Sequence, residues 1–336
     1  MPLIFSKADS VTEALFDYPT YAPGFGLANG HLQSIIPSVF RQVEVPFQRS
    51  KLELPDGDFL LLDQLKQHKE APWVVISHGL EGDSRRHYIQ GMAREFYAAG
   101  WNVMAWNFRG CGGEINRLPR FYHSGAIEDL KSVVHHVLNA EQAEKVFLLG
   151  FSMGGNQTVL TLAENDLPAQ VVGGAAFSVP LDLGACADEL AKPAQSIYMK
   201  RFLRDLKVKV EQKAELFPDV VSAKDYETIT SFHQFDERYT APLHGFSSAQ
   251  DYWQQCSSRK ALCSLKRPTL IVNAMDDPFL ASSCHDSGLS ERCTKLYLET
   301  PSNGGHVGFA RWRLNQPLWS EQRALAFAHY VMEKSK

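Results

Sequence analysis

The stretch Val146-Phe147-Leu148-Leu149-Gly150-Phe151-Ser152-Met153-Gly154-Gly155 decides the fold of this chain. Its apolar first half predicts a buried β-strand, and residues 156–164 have the apolar spacing of an α-helix. The Gly-x-Ser-x-Gly motif between them fits a tight strand-to-helix turn that presents the Ser152 hydroxyl above a sheet. The helix N-terminus behind the serine also favours developing negative charge. Because the motif is short, a glycine-rich turn with an incidental serine is the alternative.

A nucleophilic serine needs a base, and the base needs an acid that orients it. In enzymes built on this strand-turn-helix motif the chain order is serine, acid, histidine. The acid is expected after the predicted strand 269–274, where Asp276 and Asp277 are adjacent. We predict Asp277, because its spacing from the strand and the following proline turn it toward the carboxyl edge of the sheet; Asp276 is the alternative. His306 follows the last predicted strand and two glycines, so we predict that it is the base.

Two backbone N–H groups are expected to stabilise an oxyanion. The segment His78-Gly79-Leu80-Glu81-Gly82 follows the predicted strand 73–77. The N–H of Leu80 would pair there with that of Met153, the residue after the serine. A plain tight turn at His78-Gly79 is compatible with this role, since that turn would aim the donor.

Neither a cofactor nor a metal is predicted. The loop Asn107-Phe108-Arg109-Gly110-Cys111-Gly112-Gly113 matches two glycines of a dinucleotide-binding loop, but Ile115 occupies the place of the third. An ordinary βα turn is therefore favoured. Cys284, His285 and Asp286 are adjacent but have no suitably spaced partners for a metal ion.

Outside these motifs the chain alternates short apolar runs with helical stretches. Strands are predicted near residues 73–78, 102–107, 171–177, 269–274 and 294–299, and residues 51–63 predict a hairpin that turns at Pro55-Asp56-Gly57. This pattern is typical of an α/β protein with a mostly parallel central sheet and helices on both faces. Residues 181–266 have helical patches without a convincing strand. We therefore predict a core of residues 1–180 and 267–336 and a helical cap or lid at 181–266.

Within this predicted lid, residues 197–207 are basic and amphipathic. Such a helix can guard an acyl pocket or touch an acidic lipid surface, so peripheral membrane contact is one interpretation. A lid helix with a solvated basic face is the interpretation that we favour.

Composition limits the functions further. The 336 residues are 44% hydrophobic and 21% charged, with 34 Lys+Arg against 38 Asp+Glu and a net charge of -4. These values are typical of a globular protein and not of a nucleic-acid binder. Six cysteines without a Cys-x-x-Cys pair are expected to be reduced thiols. Residues 1–9 lack a signal-peptide pattern, and the most apolar stretch, 171–187, is too interrupted to cross a membrane, so a cytoplasmic protein is expected.

Taken together, these motifs resemble the α/β-hydrolase superfamily and, more narrowly, its YheT-like branch. That branch includes eukaryotic α/β-hydrolase-domain proteins and fungal medium-chain ethyl ester synthase/esterases. The matching blocks cover most of the chain; they are ANGHLQS (28–34), HGLEG (78–82), NFRGC (107–111), LPRFYHSG (118–125), GFSMGG (150–155), FDERYTAPLHGF (235–246) and GGHVGF (304–309).

The resemblance implies a serine carboxylic-ester hydrolase that acts on short- to medium-chain acyl esters or acylglycerols through an acyl-enzyme. Ser152, Asp277 and His306 would form the triad, and Leu80 and Met153 would form the oxyanion hole. Some relatives transfer the acyl group to an alcohol, so an alcohol O-acyltransferase is an alternative. A non-catalytic binding module is another, because a fold does not dictate a function. The acyl-chain length, the alcohol and the oligomeric state are not set by the sequence.

Overall fold

The computed structural model describes residues 18–335, so the expectation for residues 1–9 lies outside the described part of the chain. Short apolar runs form most strands of one sheet, as their β-branched and aromatic content predicts, and the polar segment Gln48–Glu53 forms its exposed edge strand. The strands are β1 (Gln48–Glu53), β2 (Phe59–Leu65), β3 (Trp73–Ser77), β4 (Asn102–Asn107), β5 (Val146–Phe151), β6 (Val171–Phe177), β7 (Thr269–Val272) and β8 (Leu296–Glu299).

The order of the strands in the sheet is β1-β2-β4-β3-β5-β6-β7-β8. The strands β1, β2 and β4 are paired antiparallel, and every pair from β4–β3 to β7–β8 is parallel. The predicted hairpin is confirmed, since Glu53 pairs with Phe59 across the Pro55-Asp56-Gly57 turn. The carboxyl ends of the parallel strands meet at one edge, which is where α/β proteins bind their ligands.

Helices cover both faces of this sheet, as the alternating pattern predicts. Before β7 they are α1 (Gly30–Phe40), α2 (His87–Ala98), α3 (Ile127–Asn139), α4 (Met153–Ala163), α5 (Leu183–Leu190), α6 (Ser196–Leu216), α7 (Phe232–Phe235), α8 (Ala241–His244) and α9 (Ala249–Cys256). After β7 follow α10 (Gly288–Arg292) and α11 (Trp319–Lys334). None of the helices described within residues 18–335 is both long and apolar enough to span a bilayer.

Successive residues of the central strands face opposite sides of the sheet. Leu148 of β5 belongs to a core that also contains Leu130 of α3 and Val159 of α4. Its neighbour Leu149 belongs to a second core with residues of α2 and α11, among them Phe96. Both faces of β5 are therefore buried, which holds its carboxyl end and Ser152 rigidly in the middle of the sheet.

The stretch between β6 and β7 contains five of these helices, α5 to α9. It also contains 3₁₀ turns at Pro193–Gln195, Tyr226–Thr228 and Ser258–Ser264 and a π-helical turn at Asp236–Thr240. Residues 181–266, all of them described, contain no strand. The amphipathic segment 197–207 forms the first half of the longer helix α6.

The expectation that all six cysteines are reduced thiols is wrong for one pair. Cys263 and Cys293 form a disulfide, whereas Cys111, Cys186, Cys256 and Cys284 are free and buried. The two bonded cysteines precede β7 and β8, and the parallel pairing of these strands aligns Thr269 with Leu296. The sheet therefore brings together residues whose separation of 30 positions gives no sign of contact.

Candidate active site

Ser152 lies between β5 and α4, on the turn that the Gly-x-Ser-x-Gly motif forms. Its φ of 52° and ψ of −119° are a strained conformation for a residue with a side chain, which persists only where the surroundings enforce it. The Ser152 N–H donates to Phe177 O at 2.9 Å and ties the turn to the end of β6. Glycines allow the close packing, since a Cβ on Gly154 would lie 2.3 Å from His78 O. The turn thus presents the serine side chain to the space at the carboxyl edge of the sheet.

His306 lies on the loop after β8 and pairs with Asp277, which follows β7. His306 Nδ1 lies 2.9 Å from Asp277 Oδ2 and 3.1 Å from Oδ1. Since an ionised carboxylate only accepts, this pairing places the proton on Nδ1 and leaves Nε2 as an acceptor. The Asp277 side chain is fully buried, and the His306 side chain is 11% exposed. The ring of Phe279 stacks on the imidazole with 4.0 Å between ring centroids.

The alternative acid, Asp276, has a different set of partners. Its Oδ1 accepts from the Gly305 N–H at 2.9 Å, and its Oδ2 accepts from Asn303 Nδ2 at 3.1 Å. Asp276 therefore shapes the loop that carries His306, while Asp277 contacts the imidazole itself.

A residue far away in the sequence also fixes this loop. Ser34 Oγ, on α1, accepts from the His306 N–H at 2.8 Å and donates to Gly30 O at 2.7 Å. Ser34 belongs to the block ANGHLQS (28–34), which by itself indicates no role for it. A serine on a helix that also contains His31, Gln33 and Ser38 gives no sign of a partner 272 residues away.

The loop after β3 places the Leu80 N–H beside the serine turn. Its neighbours are satisfied: the N–H of Gly79 donates to Tyr88 Oη at 3.1 Å, and that of Glu81 donates to Tyr122 Oη at 2.9 Å. Among the described residues, the Leu80 N–H has no acceptor. Met153 is the first residue of α4, where a helical N–H has no acceptor within the helix. These two groups are free to bind an oxyanion.

An uncharged histidine, His78, fixes the position of the same loop by hydrogen bonds. His78 Nε2 accepts from the Phe108 N–H at 3.1 Å, and His78 Nδ1 donates to Gly79 O at 2.7 Å. Complete burial lowers the pKa of His78 to about 3, so the ring stays uncharged at neutral pH. His78 therefore joins the loops after β3 and β4 by hydrogen bonds through both ring nitrogens.

The helix α6 contacts residues 78–82, which we call the oxyanion loop after their proposed role, through a buried ion pair. Lys209 Nζ donates to Glu81 Oε1 at 2.7 Å, and the Tyr122 hydroxyl donates to the same oxygen. Glu81 has a positive φ of 50° next to Leu80. Lys209 lies in no motif, and Tyr122 lies in the block LPRFYHSG (118–125) without a predicted role, so neither was expected at the site. The available signal was the helical spacing of Tyr198, Leu206 and Lys209, which puts a lysine on the buried face of α6.

Two cavities meet at Ser152 and His306. The first encloses about 910 Å³ including its mouth, and its wall is mostly apolar, with Leu183, Leu190 and Trp253 among its lining residues. The second, called the polar cleft, has about 1300 Å³, and its wall mixes polar side chains such as Arg86 and Arg201 with apolar ones. Ser152 and His306 therefore lie between one apolar and one more polar space.

Polar residues in the loop after β4 and in the segment 284–286 have structural partners. In the loop after β4, Arg109 forms two hydrogen bonds with Asp129, at 2.7 and 2.8 Å, and one with Asp58 at 3.0 Å. His285 Nε2 lies 2.9 Å from Ala274 O, and Asp286 pairs with Arg259 at 3.2 Å. Both loops therefore brace the sheet edge.

Comparison with known proteins agrees with this architecture. The family model described as alpha/beta hydrolase fold matches residues 72–310. The putative esterase YheT of Escherichia coli is 34% identical over 312 residues, with 90% of this chain and 91% of that protein covered. The mouse phospholipase ABHD3 is 27% identical, with 86% of this chain and 73% of that protein covered.

Among solved structures, the Pyrococcus furiosus esterase Pf2001 superimposes with a TM-score of 0.56 at 15% identity, covering 93% of this chain and 98% of the esterase. At that identity the likeness establishes the fold alone. The family match covers more than half of the chain and agrees with the sheet order, the serine turn and the two cavities. The chain belongs to the α/β-hydrolase family and is an esterase- or lipase-type member of it.

Proposed function

We propose that this protein hydrolyses carboxylic esters with Ser152 as nucleophile, His306 as general base and Asp277 as the acid that orients the base. The observation that carries the proposal is the pairing of His306 with a buried Asp277 in the cavities that Ser152 also lines. A serine hydroxyl is a poor nucleophile until a base takes its proton, and a base is effective only in the correct tautomer.

In the proposed reaction, His306 Nε2 takes the proton of Ser152 Oγ as this oxygen attacks the ester carbonyl. The oxyanion that forms accepts from the N–H groups of Leu80 and Met153. Collapse of the tetrahedral intermediate expels the alcohol, which receives the proton from His306. Water then attacks the acyl-enzyme by the same steps and releases the acid. Each oxyanion donor is expected to contribute about 3 kcal/mol of transition-state stabilisation.

The two cavities support short- to medium-chain acyl esters or acylglycerols as substrates. The apolar cavity suits an acyl chain, because burial of each CH₂ group contributes about 0.8 kcal/mol. The polar cleft suits the alcohol side of the ester and the entry of water. An alcohol in place of water would turn the same acyl-enzyme chemistry into acyl transfer.

Residues 181–266 act in this proposal as a cap over the core. The helices α5 and α6 and the π-helical turn supply Leu183, Leu206 and Asp236 to the wall of the apolar cavity. The cap would therefore set the acyl-chain preference, while the core loops supply the reacting groups.

Hydrolysis of p-nitrophenyl esters from acetate to palmitate tests the proposal, with wild type compared to Ser152→Ala. We expect kcat/KM to peak at one chain length and to fall at least about a thousandfold in the variant. Ser132→Ala is the matched control, because Ser132 is on α3 and its hydroxyl donates only to Glu128 O. A fluorophosphonate probe should label wild type and the control but not Ser152→Ala.

A protein that hydrolyses none of these esters and leaves the probe unreacted would refute the proposal and favour the non-catalytic binding module. Addition of a short alcohol to an active preparation separates the remaining alternatives. Formation of the alkyl ester in place of the free acid would identify an O-acyltransferase.

A further inference from the structure

The helix α1 has an apolar face that is partly exposed at the surface of the described chain. It contains no Lys, Arg, Asp or Glu. Four large side chains are exposed on it: Leu32 at 43%, Ile35 at 38%, Val39 at 60% and Phe40 at 68%. Their spacing places Leu32, Ile35 and Val39 on one side of a helix. An uncharged surface helix with this exposure is unusual for a soluble protein and indicates an interaction surface.

The helix is nevertheless held firmly in place. Its buried side contributes Gln33, and Ser34 accepts from the His306 N–H. Beyond its last turn, the guanidinium of Arg41 forms two hydrogen bonds with the buried carboxylate of Glu321, at 2.5 and 2.9 Å. The exposed apolar face is therefore a fixed feature of the surface.

This face forms one lip of the polar cleft. Ile35 and Val39 line the cleft together with Ser152 and His306. Whatever covers the apolar face of α1 consequently sits at the entrance to the proposed catalytic serine.

The first half of α6 forms another lip of the cleft, which it lines with Arg201 and Asp205, and it combines an apolar side chain with basic ones. Ile197 is 68% exposed, and Lys200, Arg201 and Arg204 are exposed on the following turns. One carboxylate lies among them, Asp205, which is 2.8 Å from Arg204 and 4.0 Å from Arg201. The lip keeps a net positive charge, although the whole chain has a net charge of -4.

Arg85 adds a further exposed cation to the rim of the cleft, on the oxyanion-loop side. We propose that the exposed face of α1 and the first half of α6 form a docking surface for a phospholipid bilayer that contains anionic lipids. The apolar side chains would insert at the level of the acyl-chain boundary while the cations contact lipid phosphates. The cleft would then open directly toward the lipid.

Charge argues for a bilayer over a second copy of the chain as the occupant. A two-fold symmetric dimer through this surface places the same patch on both subunits. The positive charges of both copies would then lie in one interface, and like charges brought together without counterions oppose association. Anionic lipid supplies the complementary charge and the apolar phase at the same time.

Co-sedimentation with vesicles tests the docking surface. Wild type should bind vesicles of phosphatidylcholine with phosphatidylglycerol, and bind vesicles of phosphatidylcholine alone more weakly. Leu32→Ser combined with Phe40→Ser should lower the partition coefficient about tenfold, because it removes apolar area that would enter the bilayer. Lys200→Glu combined with Arg204→Glu should lower it at least about tenfold on the anionic vesicles only.

Matched controls lie elsewhere on the surface. Leu216→Ser with Val220→Ser removes two exposed apolar side chains near the far end of α6, about 28 Å along the helix from Ile197. Lys266→Glu with Lys295→Glu reverses two exposed charges beside the amino ends of β7 and β8, at the opposite edge of the sheet. Both controls should bind vesicles as wild type does, and all variants should hydrolyse p-nitrophenyl acetate at the wild-type rate.

Two results would overturn the proposal: wild type that fails to bind the anionic vesicles, or Leu32→Ser with Phe40→Ser binding as tightly as wild type. Sedimentation velocity without lipid tests the dimer, and a dimer that this variant dissociates would assign the face to self-association and contradict lipid docking. The role of the cleft as a substrate entrance rests on the proposed function, but vesicle binding does not require catalysis. Wild type that binds vesicles and hydrolyses no ester would refute the proposed function alone.

Discussion

Replacement of Lys209 by methionine should destabilise the protein and slow ester hydrolysis through the oxyanion loop. The Lys209 and Glu81 side chains are only 6% and 11% exposed, and their charged atoms are 2.7 Å apart. Loss of one partner of a buried ion pair costs about 3–5 kcal/mol, because the remaining charge stays out of water without a counterion. In Lys209→Met that remaining charge is the Glu81 carboxylate, next to Leu80.

The expected change in melting temperature follows from the size of the chain. An unfolding entropy of about 2.1 cal/mol/K per residue, over 336 residues, is roughly 0.7 kcal/mol/K. A loss of about 3–5 kcal/mol therefore lowers the melting temperature by about 4–7 °C. Glu81→Gln added to Lys209→Met removes the unpaired charge and should restore more than half of the loss. Differential scanning fluorimetry of wild type, the two single variants and the double variant gives a double-mutant cycle, which measures the interaction between Lys209 and Glu81.

Kinetics separate a positioning role of Lys209 from a purely structural one. With p-nitrophenyl butyrate at a temperature well below the melting transition, we expect kcat of Lys209→Met to fall about tenfold with little change in KM. A donor that acts only in the transition state has this signature. A variant that melts within about 1 °C of wild type and keeps the wild-type kcat would refute the reasoning.

Three further predictions concern the acid, the serine turn and the cap. Asp277→Asn should lower kcat about 10³–10⁴-fold, because an amide can hold His306 in the wrong tautomer, whereas Asp276→Asn should cost tenfold or less; the reverse order in steady-state assays would make Asp276 the acid. Gly154→Ala should lower the melting temperature far more than Gly57→Ala, since the new Cβ on residue 154 would lie 2.3 Å from His78 O. At Gly57 a new Cβ would have no atom within 4 Å, and only the positive φ costs about 1–2 kcal/mol. Equal melting temperatures of the two variants would contradict this prediction. Burial raises the pKa of Asp236 from 3.8 to about 6. The folded protein therefore holds the carboxyl proton of Asp236 more tightly than the unfolded chain does. The free energy of unfolding falls by about 3 kcal/mol as pH rises from 4 to 6. Asp236→Asn should therefore gain stability relative to wild type over that range, and a difference in melting temperature that does not change between pH 4 and 7 would show that the carboxyl does not titrate there.

Local patterns predict much of the fold and part of the candidate site. The strands and the Pro55-Asp56-Gly57 hairpin follow from runs of a few residues, and the structure confirms them. The serine turn follows from the Gly-x-Ser-x-Gly motif, which directly continues the apolar run of β5. The choice between Asp276 and Asp277 depends on one residue of spacing, and the structure pairs Asp277 with His306.

Contacts between distant segments could not be predicted in this way. Ser34 reaches the His306 backbone across 272 positions, and Lys209 reaches Glu81 across 128. Neither Ser34 nor Lys209 has a local pattern that points to its partner, since a serine or a lysine on a helix is ordinary until the sheet has set the positions of the loops. The Cys263–Cys293 disulfide has the same origin, because strand pairing and not cysteine spacing brings its two sulfurs together.

The loop that carries His306 is assembled from nearly the whole length of the described chain. Ser34 accepts from its backbone, Asp277 holds its imidazole, and Ser178 Oγ accepts from the Val307 N–H at 2.9 Å. A chain leaving the ribosome can form β5, the serine turn and the earlier strands before the loop that carries His306 has been synthesised. Until then Ser34, Ser178 and Asp277 lack their partners in that loop. Contacts at such separations form late in folding, because they need the largest loop closures. Esterase activity should thus be absent during synthesis and appear only when β8 completes the edge of the sheet. Turnover of a chromogenic ester would then report directly on complete folding.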